Sequence, residues 1–244
     1  MGSSDRQYRK LLLCISFSIY LSSCGKDLPP APESSLLKSE DTIVFVGDSI
    51  TEQGDMRGGY IRLLKDHLNR NYTHFRVNIL NAGRSGNKID DISQRFERDV
   101  LRYNPSWVVI LIGINDVWQR LDSTKHLNFY LPHFASELDS LVARAQRQNI
   151  RVALCTTTVL TEDIYYPGNA LLRLYNDEIR RVARNRSCLL IDLNTLFSDV
   201  LAKDNRTTQT SNLLTKDGVH LNNRGNRLMA SAMLKAFGFG TPQE

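Results

Sequence analysis

Four short segments carry residue types that together could hydrolyse an ester. They are Gly47-Asp48-Ser49, Asn81-Ala82-Gly83-Arg84-Ser85-Gly86, Gly113-Ile114-Asn115-Asp116 and Asp217-Gly218-Val219-His220. Ester hydrolysis needs a nucleophile better than water, a base to take its proton, and donors for the oxyanion. Ser49 is the candidate nucleophile. His220 is the candidate base, able to return the proton to the leaving alkoxide. Asp217 stands three residues before His220, so one turn can bring its carboxylate to the far ring nitrogen. There it would hold the tautomer and stabilise the imidazolium. The expected oxyanion donors are the backbone N–H groups of Ser49 and Gly83 and the side-chain amide of Asn115. A glycine at 83 would let substrate approach closely. Gly47 permits a sharp turn before the serine, with Asp48 bracing it. Gly113 belongs to the corresponding turn before Asn115, and Asp116 reads as a carboxylate bonding local backbone.

Each segment alone has an ordinary structural reading. Ser49 could simply cap a helix, and Gly-x-Asn-Asp is a common turn. Ser85 is a rival nucleophile, but in a looser position than Ser49. His67, His74, His126 and His133 have no acid at the spacing that His220 has. No His-Glu-x-x-His or Cys-x-x-Cys spacing occurs, so a metal is not expected. No Gly-x-Ser-x-Gly elbow is present either.

The elements that must position these residues follow from the apolar pattern. Strands are expected at Thr42 to Val46, Phe75 to Leu80, Trp107 to Ile112, Arg151 to Thr156 and Cys188 to Asp192. Between them, helical spacing predicts Tyr60 to Arg70, Ile89 to Arg102, Pro132 to Gln148 and Asn169 to Asn185, with Asn223 to Phe237 closing the chain. Trp107 to Ile112 is apolar throughout, as a strand covered on both faces should be. Strands alternating with helices indicate an α/β, doubly wound, five-stranded parallel sheet. Ligands bind such sheets beyond the carboxyl ends of the strands. The candidate residues fall there.

Composition is that of an ordinary globular domain, with 41% hydrophobic and 23% charged residues and a net charge of +5. Arg6, Arg9 and Lys10 contribute to that charge, and no basic stretch with interleaved aromatics points to nucleic acid. Those three residues precede an apolar run from Leu11 to Leu21. It has the length of a signal-peptide core and is too short to span a bilayer. Residues 1–23 are therefore expected to be a signal peptide. Residues 24–41, with Pro29, Pro30 and Pro32, are expected to be a tether, and 42–240 the catalytic domain. Cys155 and Cys188 lie in apolar runs and read as free thiols.

In this order and at these positions, the four segments resemble the four sequence blocks of the SGNH, or GDSL-like, hydrolase superfamily. Phe45-Val46-Gly47-Asp48-Ser49-Ile50-Thr51-Glu52 and Asp217-Gly218-Val219-His220-Leu221-Asn222, followed by Gly225-Asn226, carry the likeness, which extends from about Thr42 to Phe237. The resemblance implies a flavodoxin-like three-layer fold and hydrolysis of esters or thioesters without metal or organic cofactor. Leu21-Ser22-Ser23-Cys24-Gly25 resembles a bacterial lipoprotein box. That implies cleavage before Cys24, lipidation of Cys24, and an exported, membrane-anchored protein facing the periplasm or cell exterior. Trp118, Tyr165, Tyr166 and Val219 are expected to wall the pocket. No apolar lid-like insertion is present, which favours short acyl groups, acetyl above all, on a carbohydrate or small alcohol. An acyltransferase or thioesterase on the same triad, and a non-catalytic glycan-binding module, are the competing functions. A monomer is expected, with no nucleic-acid partner.

Overall fold

The computed structural model describes residues 28–240. The expected signal peptide and Cys24 lie outside the described residues. Five parallel strands form one sheet in the order β2-β1-β3-β4-β5: β1 (Thr42–Gly47), β2 (Asn78–Gly83), β3 (Trp107–Leu111), β4 (Arg151–Cys155) and β5 (Leu189–Ile191). This is the flavodoxin-like doubly wound order, whose switch point lies between β1 and β3. All five residues of β3 are buried, because helices cover both of its faces.

The helices are α1 (Ser49–Gln53), α2 (Tyr60–Asn71), α3 (Ile89–Asp99), α4 (Ile114–Trp118), α5 (Leu131–Gln146), α6 (Pro167–Asn185), α7 (Leu193–Asp204) and α8 (Asn223–Ala236). The chain steps from β1 to β2 in one direction and thereafter in the other. Right-handed crossovers therefore put α2 on one face and α3, α5 and α6 on the opposite one. α2 packs on α8, and α3, α5 and α6 pack in series.

Two boundaries differ from expectation by three residues, and three helices, α1, α4 and α7, are additional. β2 begins at Asn78 rather than Phe75, because it pairs with β1 in the register Thr42↔Asn78 to Gly47↔Gly83. Phe75 is buried instead in an aromatic cluster with Tyr72 and Phe239. The helix expected through Arg102 breaks after Asp99. A single tighter turn follows, and Asn104 adopts a left-handed φ of 45° before Pro105. α7 is capped by Asp192, whose side chain accepts from Thr195 N–H. Its Leu193, Phe197 and Leu201 are buried at a spacing of four.

Over its described part, the segment expected to be a tether is folded onto the domain. Thr73 N–H donates to Pro29 O, and Leu36 N–H donates to Phe237 O, both at 2.9 Å. The Arg151 guanidinium reaches Leu36 O at 2.9 Å and the Asp41 carboxylate at 3.0 Å. Leu37 is buried. Prolines prevent helix formation here, yet an irregular strand with backbone partners can still dock.

Candidate active site

β1 ends at Gly47, and Asp48 caps α1, its Oδ1 accepting from Ile50 N–H at 2.9 Å. The cap role thus falls to Asp48, and Ser49 becomes the first helical residue with a free hydroxyl. Gly47 serves close packing. A Cβ there would sit 2.3 Å from Thr51 Oγ1 and 2.4 Å from Leu111 O. Ser49 itself is only 7% exposed, with the ring of His220 against it. Ser49 Oγ and His220 Nε2 are 2.9 Å apart. His220 Nδ1 is 2.7 Å from Asp217 Oδ2. With Nδ1–H donating to the carboxylate, Nε2 is left to accept from the serine hydroxyl.

The Asp217 loop is tightly built. Asp217 Oδ1 accepts from the backbone N–H groups of Val219 at 3.0 Å and His220 at 2.8 Å. Partial burial pushes the Asp217 carboxyl upward, but hydrogen bonds from the ring and backbone of His220 and from Val219 outweigh it and hold it below the usual range. Lys216 N–H donates to His220 O at 2.7 Å, and Thr215 bridges Leu221. Beneath the loop lies Glu162, fully buried. Its carboxylate accepts from the N–H groups of Leu213, Leu214 and Thr215 at 2.7, 2.6 and 2.5 Å and from the Thr215 hydroxyl at 2.8 Å. Nothing in the sequence marks Glu162 for this role, because its partners lie more than fifty residues away.

The second and third segments meet β1 at the carboxyl edge of the sheet. Asn115 Nδ2 donates to Asn87 O at 3.1 Å, which leaves its second hydrogen free. Gly113 takes a φ of +125°, open to glycine at little cost. Two assignments need correction. The N–H of Gly83 is consumed by Asn81 Oδ1 at 2.8 Å, so it has no donor to offer an oxyanion. Gly83 is small for another reason: a Cβ there would lie 2.2 Å from Glu52 N. Gly86 is the better donor candidate. Its φ is +77°, and nothing stands within 4 Å of where a Cβ would be. The signal was the second glycine of the same segment. Asp116 does not bond local backbone. It accepts from Ile89 N–H, 27 residues away, at 3.2 Å. Burial pushes both Asp48 and Asp116 up to about 7, and Asp116 raises Asp48 further.

Ser85 is bound to Glu52, not to an imidazole. Arg95, buried on α3, donates to Gly47 O at 3.1 Å, Ala82 O at 2.8 Å and Asn87 Oδ1 at 2.8 Å. One guanidinium thereby ties together the ends of β1 and β2 and the loop after β2. Of the expected wall residues, Trp118 is half exposed and lines a cleft with Tyr166, while Val219 is buried. Tyr165 is 80% exposed and does not line that cleft. His133 finds an acid, Asp90, at 2.6 Å, but no hydroxyl beside it. Cys155 is buried and Cys188 half-buried, both as free thiols.

A family model for the GDSL-like lipase/acylhydrolase family matches residues 45–228. An acetylxylan esterase from Geobacillus stearothermophilus is 29% identical over 214 residues, covering 82% of this chain and 95% of that protein. Among solved structures, the acetyl xylan esterase AlAXEase superposes with a TM-score of 0.75 at 36% identity, over 80% of this chain and 98% of its own. An α/β hydrolase from the metagenome of Lake Arreo, Spain, gives 0.73 at 30% identity, over 83% and 97%. Agreement in sequence blocks, strand order and the rim where the blocks converge makes this chain a member of the GDSL-like lipase/acylhydrolase family and a serine hydrolase of carboxylic esters.

Proposed function

We propose that this protein removes acetyl groups from carbohydrate, with Ser49, His220 and Asp217 as its catalytic triad. The observation that carries the proposal is the unbroken contact of hydroxyl, imidazole and carboxylate at 2.9 and 2.7 Å. Ser49 Oγ attacks the acetyl carbonyl as His220 Nε2 takes its proton. The imidazolium then protonates the sugar oxygen, which leaves as an alcohol. Water, activated by the same imidazole, attacks the acetyl-enzyme and releases acetate. Asp217 stays ionised throughout and stabilises the imidazolium. The oxyanion is held by Ser49 N–H, Gly86 N–H and the free hydrogen of Asn115 Nδ2.

Carbohydrate acetyl esters are favoured because the relatives include two described as acetylxylan or acetyl xylan esterases. We extend the proposal to export and anchoring through a lipidated Cys24, on the strength of the leader's charge, length and small residues alone. Water is taken as the acceptor, since no feature of the site favours an alcohol over it.

The test is acetate release from acetylated xylan alongside a series of 4-nitrophenyl esters. Highest kcat/KM on acetyl is expected; a maximum at ten carbons or more would overturn the short-chain reading. A fluorophosphonate probe should modify Ser49, and modification elsewhere would refute the nucleophile. Mass spectrometry of the mature protein should find an acylated Cys24; an unacylated amino terminus rules out the anchor.

A further inference from the structure

Trp118 closes α4, the short helix whose second residue is Asn115. Residues three apart share one side of a helix, so the indole is carried on the same side of α4 as Asn115. It is 47% exposed, a large aromatic surface left open three residues from the buried Asn115. The next residue, Gln119, is tied into the donor loop. Its Nε2 donates to Gly86 O at 3.2 Å, and its Oε1 accepts from Lys88 Nζ at 2.9 Å.

Tyr166 lines the same cleft as Trp118. The loop that carries it begins at Thr161, whose N–H donates to Gly218 O at 2.8 Å, between Asp217 and His220. Both walls of the cleft are therefore continuous with segments that supply the reaction centre. The space between is an open cleft of about 590 Å³, within the range of small-molecule sites.

The lining decides what kind of molecule fits. Trp118 and Tyr166 offer aromatic faces, Leu121 a single aliphatic one, and Gln119, Arg120, Asp122 and Ser123 offer hydrogen-bonding groups. A fatty acyl chain would strip water from those polar groups and return nothing. A sugar ring has one face of C–H groups to lie on an indole and a rim of hydroxyls to satisfy the polar side chains. The formal charges of Arg120 and Asp122 cancel, and the guanidinium stacks over the Tyr130 ring at 4.2 Å, which suits a neutral ligand.

We infer that the Trp118–Tyr166 cleft is a pyranose-binding subsite, holding the sugar of the substrate while its acetyl group enters at Ser49; this rests on the carbohydrate-ester reading. Trp118 is then the main determinant of preference for saccharide over simple esters.

The experiment compares Trp118→Ala and Trp118→Phe with the parent protein on acetylated xylo-oligosaccharides and on 4-nitrophenyl acetate. The ratio of the two kcat/KM values should fall about tenfold or more in Trp118→Ala. Most of the loss should lie in KM, with partial recovery in Trp118→Phe. A ratio within twofold of the parent, while the parent turns over saccharide esters, overturns the subsite alone. A parent that hydrolyses 4-nitrophenyl acetate but no acetylated saccharide overturns the carbohydrate reading and the subsite with it. Should Trp118→Ala fail to fold, Ser49→Ala supplies an independent readout. The chain has two tryptophans, and Trp107 is buried. Titration of Ser49→Ala with acetylated xylo-oligosaccharide should therefore shift the fluorescence of Trp118 saturably. An unshifted spectrum at millimolar saccharide counts against the subsite.

Discussion

At the scale of single residues, catalysis rests on a short chain of proton positions. Replacing Ser49 or His220 with Ala should lower kcat by about 10⁴–10⁶-fold with the fold intact. Asn115→Ala should lower it by about 10²–10³-fold through one lost donor. Rates from purified variants with matching circular dichroism check both, and near-normal turnover in Ser49→Ala removes the nucleophile assignment. The charge on Asp217 sets a pH window. Its carboxyl lies below the ordinary value of 3.8, so its stabilising contribution is present above that value and is lost as pH falls through the depressed one. Loss of activity between pH 7 and 4 should therefore not come from Asp217.

At the scale of elements, buried polar side chains hold the loops that hold the site. Glu162 has no cationic partner among the described residues, and four donors stand in for one. Glu162→Gln turns one acceptor into a donor that faces N–H groups. It should cost about 1.5–3 kcal/mol in urea unfolding and lower kcat more than it raises KM. Unaltered stability and turnover would show that the clamp is idle. Asp48 and Asp116 supply the opposite pH sign. Both are raised to about 7 by burial. Their contribution is complete below the unfolded value of 3.8 and is lost as pH rises through about 7. Asp116→Asn keeps an acceptor for Ile89 N–H and carries no charge. It should therefore raise Tm more at pH 8 than at pH 5, and a pH-independent change in Tm contradicts the burial argument.

At the scale of the whole molecule, the two ends of the sheet do different work. The carboxyl ends of β1 and β3 carry Ser49 and Asn115. At the amino ends, the segment from Leu28 to Asp41 packs with Phe237 and the start of β4. Phe237 in turn stacks edge-on to Trp107 at 5.4 Å. A lipid on Cys24 would be separated from residue 28 by three residues, four chain steps with a reach of roughly 14 Å. The proposed anchor therefore puts the amino end of the sheet toward the bilayer and the catalytic rim away from it. A fluorophore at position 56, on the exposed loop before α2, should be poorly quenched by an acceptor in the vesicle surface. One at position 38 should be quenched strongly, and the reverse order would overturn this orientation.

Much of this was legible in the sequence, because strand and helix periodicities and the four segments are local. Trp107 to Leu111 had to be a central strand, since every residue in it is apolar. Asp217 and His220 are three residues apart, so a turn suffices to join them. The convergence of Ser49 with His220 was implied by strand ends sharing one rim. What remained for the tertiary structure was set mainly by partners distant in the chain. The N–H of Gly83 is taken by Asn81, two residues back, while Gly86 sits at a φ of +77° with open space around it. Asp116 reaches Ile89, Glu162 reaches residues 213–215, and residues 28–41 dock rather than hang free. Residue type and spacing determine which chemistry is available, whereas which donors are left unspent is decided only when every buried polar group has found its partner.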